Sequence, residues 1–121
     1  MQAWQRYMQN NIMTSNPIKN TIFVYERCIV EFRKAEELLN NFKLREASEV
    51  LDKLDLIFEE LKLQLNPDIT EDLYNSLYNL YDWLSKQITE MKITRQAKEI
   101  DAIEKVLQDL IDGYRGVLEH E

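Results

Sequence analysis

Scarcity of turn-forming residues constrains this chain more than any other feature. Only two glycines and two prolines occur in 121 residues. An all-β domain needs a breaker cluster every ~8–12 residues, and four such residues cannot supply that. Both glycines, Gly113 and Gly116, fall near the C-terminus. No glycine-rich phosphate loop therefore exists on which to build a nucleotide-binding α/β unit. What remains is one all-α domain over residues 1–121, made of long helices joined by short connections.

The apolar period places four of them, at about 17–40, 44–65, 70–92 and 96–118. Ser15 or Asn16 caps the first, with Pro17 at the first helical position, where its missing N–H costs nothing. Its core stripe is Ile18, Ile22, Tyr25, Ile29, Phe32 and Leu39. The second helix carries Leu44, Ala47, Leu51, Leu54, Phe58, Leu61 and Leu65, and ends at Asn66-Pro67-Asp68. Asp68 with Glu71 reads as a capping box for the third, whose stripe is Leu73, Leu77, Leu80, Leu84, Ile88 and Met91. Thr94 is the only cap candidate before the fourth, which carries Ile100, Ile103, Leu107, Leu110, Tyr114 and Val117, flanked by Val106, Ile111 and Leu118. Its two glycines are expected to fray the last turns. Helices of this length with short links run antiparallel to their neighbours, which predicts an up-down four-helix bundle.

The same scarcity limits chemistry. His120 is the only histidine and lies next to the last residue; Cys28 is the only cysteine. No disulfide, Cys-rich metal site, di-iron Glu-x-x-His pair or phosphorelay histidine can be assembled from them. The carboxylate pairs Glu36-Glu37, Glu59-Glu60 and Glu71-Asp72 sit on or beside polar faces, where solvation explains them better than acid–base work. The expectation is a protein with no enzymatic activity, cofactor or metal. Residues 44–121 hold nine basic and eighteen acidic side chains, against six and four in residues 1–43. Such an acidic body repels phosphate, so neither nucleic acid nor anionic membrane is an expected partner. No stretch approaches ~18 apolar residues and no signal peptide is evident, so the expected location is the cytoplasm, without membrane insertion.

Apolar residues outside the core stripes carry the functional signal. Phe23 and Val30 lie roughly 120–140° from the centre of the first helix's core face, and Leu56 and Leu63 are displaced about as far on the second. Tyr74, Tyr78 and Tyr81 form an i, i+4, i+7 row on one flank of the third helix's leucine stripe. A single stripe of this kind is ordinary surface or is covered by a neighbour. Three on one small bundle point to exposed apolar grooves that await another chain. Trp4, Tyr7, Met8 and Ile12 recur at helical spacing in a segment too short to be a stable helix alone. The expectation is a short N-terminal amphipathic segment over residues 1–13 that covers a groove and is displaced by a client. The alternative is a structural or signalling bundle that homodimerises through the second stripes.

The order of these features resembles the flagellar export chaperones of the FliS family. The resemblance rests on Tyr7, on Thr14 with Pro17, and on Val24-Tyr25-Glu26. Ile57, Phe58, Glu60, Leu61 and Leu65 continue it, as do Ser76-Leu77, Leu80-Tyr81 and Trp83. It extends from about Tyr7 to Leu110, with departures at Asp68-Ile69-Thr70, Met91-Lys92 and Val117-Leu118. It implies a cytoplasmic chaperone that holds the disordered C-terminal segment of flagellin before export, with other flagellar export components as further partners and the chain itself a monomer or weak dimer. It supports Tyr7, Leu77 and Tyr81 as partner-binding residues, beside Met8, Ile12, Phe23, Val30, Leu56, Leu63, Tyr74 and Tyr78 from the stripes.

Overall fold

The computed structural model describes residues 17–66 and 68–119, and among them finds four helices and no strand. They are α1 (Pro17–Asn40), α2 (Leu44–Leu63), α3 (Glu71–Thr94) and α4 (Ile100–Glu119). The expected four-helix architecture is present. Ser15 and Asn16 lie outside the described residues, but Pro17 is the first residue of α1, as its fixed φ favours.

The boundaries show what local chemistry the period does not reveal. Phe42 at φ 58° closes α1, with the Lys43 N–H donating to the Leu38 carbonyl at 2.9 Å. The cap of α3 is Thr70, whose hydroxyl oxygen accepts from the Leu73 N–H at 3.3 Å, and not Asp68. Asp68 is instead held in an Asx turn, donating its N–H to Asn66 Oδ1 at 2.9 Å. That turn also ends α2 two residues earlier than the leucine period suggests. α3 runs on to Thr94 and stops where Arg95 adopts the left-handed conformation that usually takes glycine. Glu99, also at positive φ, precedes α4, so this helix starts at Ile100 and not at 96. It continues through both glycines to Glu119.

The core stripes pack as expected around Tyr25, Phe32, Phe58, Leu51, Leu54, Leu84, Ile88, Met91, Ile103 and Leu107, with Cys28 buried among them as a small apolar side chain. Burial holds its thiol well above the ordinary cysteine range. Aromatic rings form the spine: Phe32 lies 6.1 Å from Phe58, Phe58 6.2 Å from Tyr81, and Tyr25 5.8 Å from Tyr114. The Tyr25 and Tyr81 hydroxyls hydrogen-bond each other in the interior.

Packing is uneven around the ring of helices. α1 packs closely on α4 and on α2, and α2 on α3, whereas the α3 and α4 backbones make far less approach. Arg33 fastens α1 to α4 by bonds of 2.9 Å to Asp101 and Glu104, and Arg115 reaches Glu26 at 3.6 Å. Lys62 with Asp82 and Lys92 with Asp52 join α2 to α3. Among the described residues no ion pair bridges α3 and α4.

Candidate functional site

The loose α3–α4 seam opens as an apolar groove. It holds about 280 Å³ and is lined by Leu73 and Leu77 of α3 and by Leu110, Gly113, Tyr114 and Val117 of α4, with Asp109 the one charged side chain on its rim. Leu73 and Val117 are each 50% exposed, although their spacing places both in core stripes. The reason is positional. Both lie in terminal turns, on edges where no neighbouring helix approaches, so the period counts them as core while the packing leaves them open. Gly113 contributes a flat stretch of backbone midway along the α4 wall, and a Cβ built there meets nothing within 4 Å.

A second cavity of about 350 Å³ adjoins it at the end of the bundle where α1 begins. Pro17, Val24, Leu61, Leu65 and Tyr81 line it. Leu77 and Tyr114 line both spaces and so form the wall between them. Tyr25 stands behind Tyr114. Burial, with the neighbouring tyrosines, raises the Tyr25 hydroxyl far above the ordinary tyrosine range, and burial pushes Tyr81 up to about 12. Both phenols therefore stay neutral, so the interior behind the adjoining cavity is uncharged.

The expected site residues do not share one surface. Leu77 and Tyr81 reach these cavities but are themselves buried, and the Tyr81 hydroxyl is committed to Tyr25; they are core side chains that shape a wall, not open contacts. Val30, Leu56 and Leu63 face solvent on the outer sides of α1 and α2, and Leu63 is 80% exposed. Phe23 is partly buried. Tyr74 stacks on Tyr78 at 6.3 Å on the α2-facing flank of α3, with Lys62 Nζ 5.7 Å from the Tyr78 ring. The structure thus does not bring the three stripes together, and Tyr74 and Tyr78 lie on the flank away from the α3–α4 groove while Tyr81 is in the core. Tyr7, Met8 and Ile12, with Trp4, lie outside the described residues.

Sequence reasoning missed the open roles of Leu73, Leu110, Tyr114 and Val117 by assigning all four to the core. One signal could have found them. The apolar arc of α4, from Val106 through Leu110, Gly113, Tyr114 and Val117 to Ile111 and Leu118, is wider than a single neighbouring helix can cover.

Among the described residues no group of three His, Cys, Asp or Glu side chains could hold a metal ion, and no helix is long and apolar enough to cross a membrane. Comparison with known proteins is specific. The family model described as flagellar protein FliS matches residues 1–121. The flagellar secretion chaperone FliS of Bacillus subtilis (strain 168) is 25% identical over 115 residues, covering 95% of this chain and 85% of that protein. A crystal structure described as a flagellar chaperone from bacteria is 76% identical, with a TM-score of 0.86, over 100% of this chain and 98% of that one. A largely apolar groove on an all-helical scaffold and a family match over every residue agree: this chain belongs to the FliS family of flagellar proteins.

Proposed function

We propose that this protein is a cytoplasmic flagellar secretion chaperone that holds the disordered C-terminal segment of flagellin and keeps it from polymerising before export. The observation that carries this reading is the open α3–α4 groove, lined by apolar side chains from both helices with Asp109 as its one charged group. The disordered segment folds on binding, laying an apolar face against Leu73, Leu110, Tyr114 and Val117. Burying four or five side chains at ~1.5–3 kcal/mol each outweighs the ~2–5 kcal/mol cost of ordering the client and leaves micromolar to nanomolar affinity. No bond is made or broken, so the work requires no nucleotide, metal or catalytic group. Residues 1–16 join the bundle at Pro17, on the lip of the adjoining cavity. In this reading Tyr7, Met8 and Ile12 act as a displaceable cover, while Phe23, Val30, Leu56, Leu63, Tyr74 and Tyr78 supply outer surface for a client longer than the groove.

Calorimetry with a peptide from the flagellin C-terminus tests this. A one-to-one complex is expected, weakened at least about tenfold by Leu73→Asp or Val117→Asp, side chains exposed enough for the fold to tolerate the change. No complex at tens of micromolar protein would refute the reading. Deleting residues 1–13 is expected to tighten binding, and an unchanged affinity removes the cover.

A further inference from the structure

The pole of the bundle opposite Pro17 has a cavity that the flagellin reading leaves unused. It holds about 340 Å³ between the last turns of α1 and α3 and the first turns of α2. Its inner wall is apolar, with Leu44 and Met91, and its outer wall is cationic, with Arg45, Lys92 and Arg95. On a chain of net charge −7 such a cluster runs against the average of the surface. Lys92 is occupied by Asp52. Arg45 and Arg95 differ from the other described arginines. Arg27, Arg33 and Arg115 each hold a carboxylate, whereas among the described residues these two have no ion-pair partner, despite 22 acidic side chains in the chain. At 100° per residue Arg45 and Ser48 share one edge of α2, while Glu46 lies about 100° further round and faces away from the cavity.

The same pole exposes apolar surface. Phe42, in the turn from α1 to α2, is 85% exposed at φ 58°, a conformation that a bulky side chain seldom adopts. Ile93, next to Lys92, is 72% exposed. We propose that this pole docks an acidic segment of a partner protein: an apolar anchor enters the cavity over Leu44 and Met91, and flanking carboxylates pair with Arg45 and Arg95. Guanidinium geometry suits carboxylates, and the apolar floor distinguishes the site from a patch that merely attracts anions. The helices separate this pole from the α3–α4 groove by roughly 30 Å at 1.5 Å per residue, so both sites can be filled at once.

The test is fluorescence anisotropy of the full chain with a labelled ten-residue probe, a central Leu-Phe flanked by Asp and Glu, beside a counterpart carrying Lys at the acidic positions. Probe and protein are both acidic, so bulk electrostatics oppose association and any binding reports a local site. Saturable binding at hundreds of micromolar or tighter is expected, weakened at least about tenfold by Arg45→Glu with Arg95→Glu. Flagellin-peptide affinity and melting temperature should stay unchanged in that variant. Should charge reversal disturb folding, Arg45→Gln with Arg95→Gln gives the same comparison. The proposal is overturned if the acidic probe does not bind, if both double variants bind it as well as the parent does, or if flagellin peptide displaces it. It is also overturned if the lysine counterpart or a single-stranded oligonucleotide binds the same arginines, or if those arginines instead hold a second copy of this chain.

Discussion

The two edges of α4 are treated differently. Toward α1 the helix is sealed: Ile111 is buried, Arg33 grips Asp101 and Glu104, and Arg115 reaches Glu26. Toward α3 it is open, with Leu110, Gly113 and Val117 lining a groove that no ion pair crosses among the described residues. One edge contributes to the stability of the bundle, and the other leaves apolar area for a second chain. A helix that is apolar over a wide arc can do both, provided that only one of its neighbours closes on it.

The largest effect expected from breaking this comparison is on the sealed side. Ile111→Ala removes a fully buried side chain and should cost about 2–5 kcal/mol in denaturant unfolding, whereas Val117→Ala on the open side should cost under ~1 kcal/mol while weakening flagellin-peptide binding. Equal losses of stability would mean that the groove is closed in solution. Next comes the wall between the edges. Tyr25→Phe leaves the buried Tyr81 hydroxyl without its partner and should cost about 1–3 kcal/mol. The same pair makes the bundle sensitive to alkali. Both folded phenols titrate above the ordinary value near 10, so the folded state holds protons that the unfolded chain has lost. Their contribution is whole below pH ~10 and declines as pH rises toward and past the folded values. Thermal melts from pH 9 to 11.5 check this, and a melting temperature flat across that range would contradict it.

Smaller changes sharpen the contrast. Gly113→Ala and Gly116→Ala each have room for the added methyl group and should each stabilise α4 by roughly 0.5–1 kcal/mol. Only Gly113→Ala projects into the groove, so only it should alter client affinity. Arg33→Ala has the smallest expected effect, about 0.2–1 kcal/mol and less at high salt, because its pairs are substantially exposed. Its bond to Arg33 lowers the Glu104 carboxyl below the usual range. The clamp is therefore complete above the unfolded-state value and weakens as pH falls through the lowered folded one. Acid titration of the parent against Arg33→Ala should lose that difference at low pH.

Much of the fold can be read from the chain, because a helix announces itself through neighbours three and four residues away. Pro17 opening α1 and the buried run from Leu51 to Leu61 follow from that period. The ends were less legible. Thr70 rather than Asp68 caps α3 because it stands directly before Glu71 and its hydroxyl oxygen accepts from the Leu73 N–H, while the turn at Asn66 leaves Asp68 two residues outside the helix; spacing does not resolve which of two short polar side chains takes the cap position. Of the expected contact residues, Leu77 and Tyr81 reach the cavities from inside the core, while Leu56 and Leu63 face solvent elsewhere. Exposure counted along one helix says nothing about where the next helix stands.

The sequence alone determined that the chain forms long helices and most of the faces they bury, since four breakers and a sustained apolar period are facts of the chain. It also carried the family resemblance, through an order of residues and not through any single motif. Tertiary structure decided which apolar arcs are sealed and which stay open. Leu107 and Val117 sit on the same helix with the same spacing, yet one is buried and the other half exposed. Val117 lies in the last turn of α4 on the edge that faces the open seam, and which edge stays open is set by long-range packing that local period cannot encode.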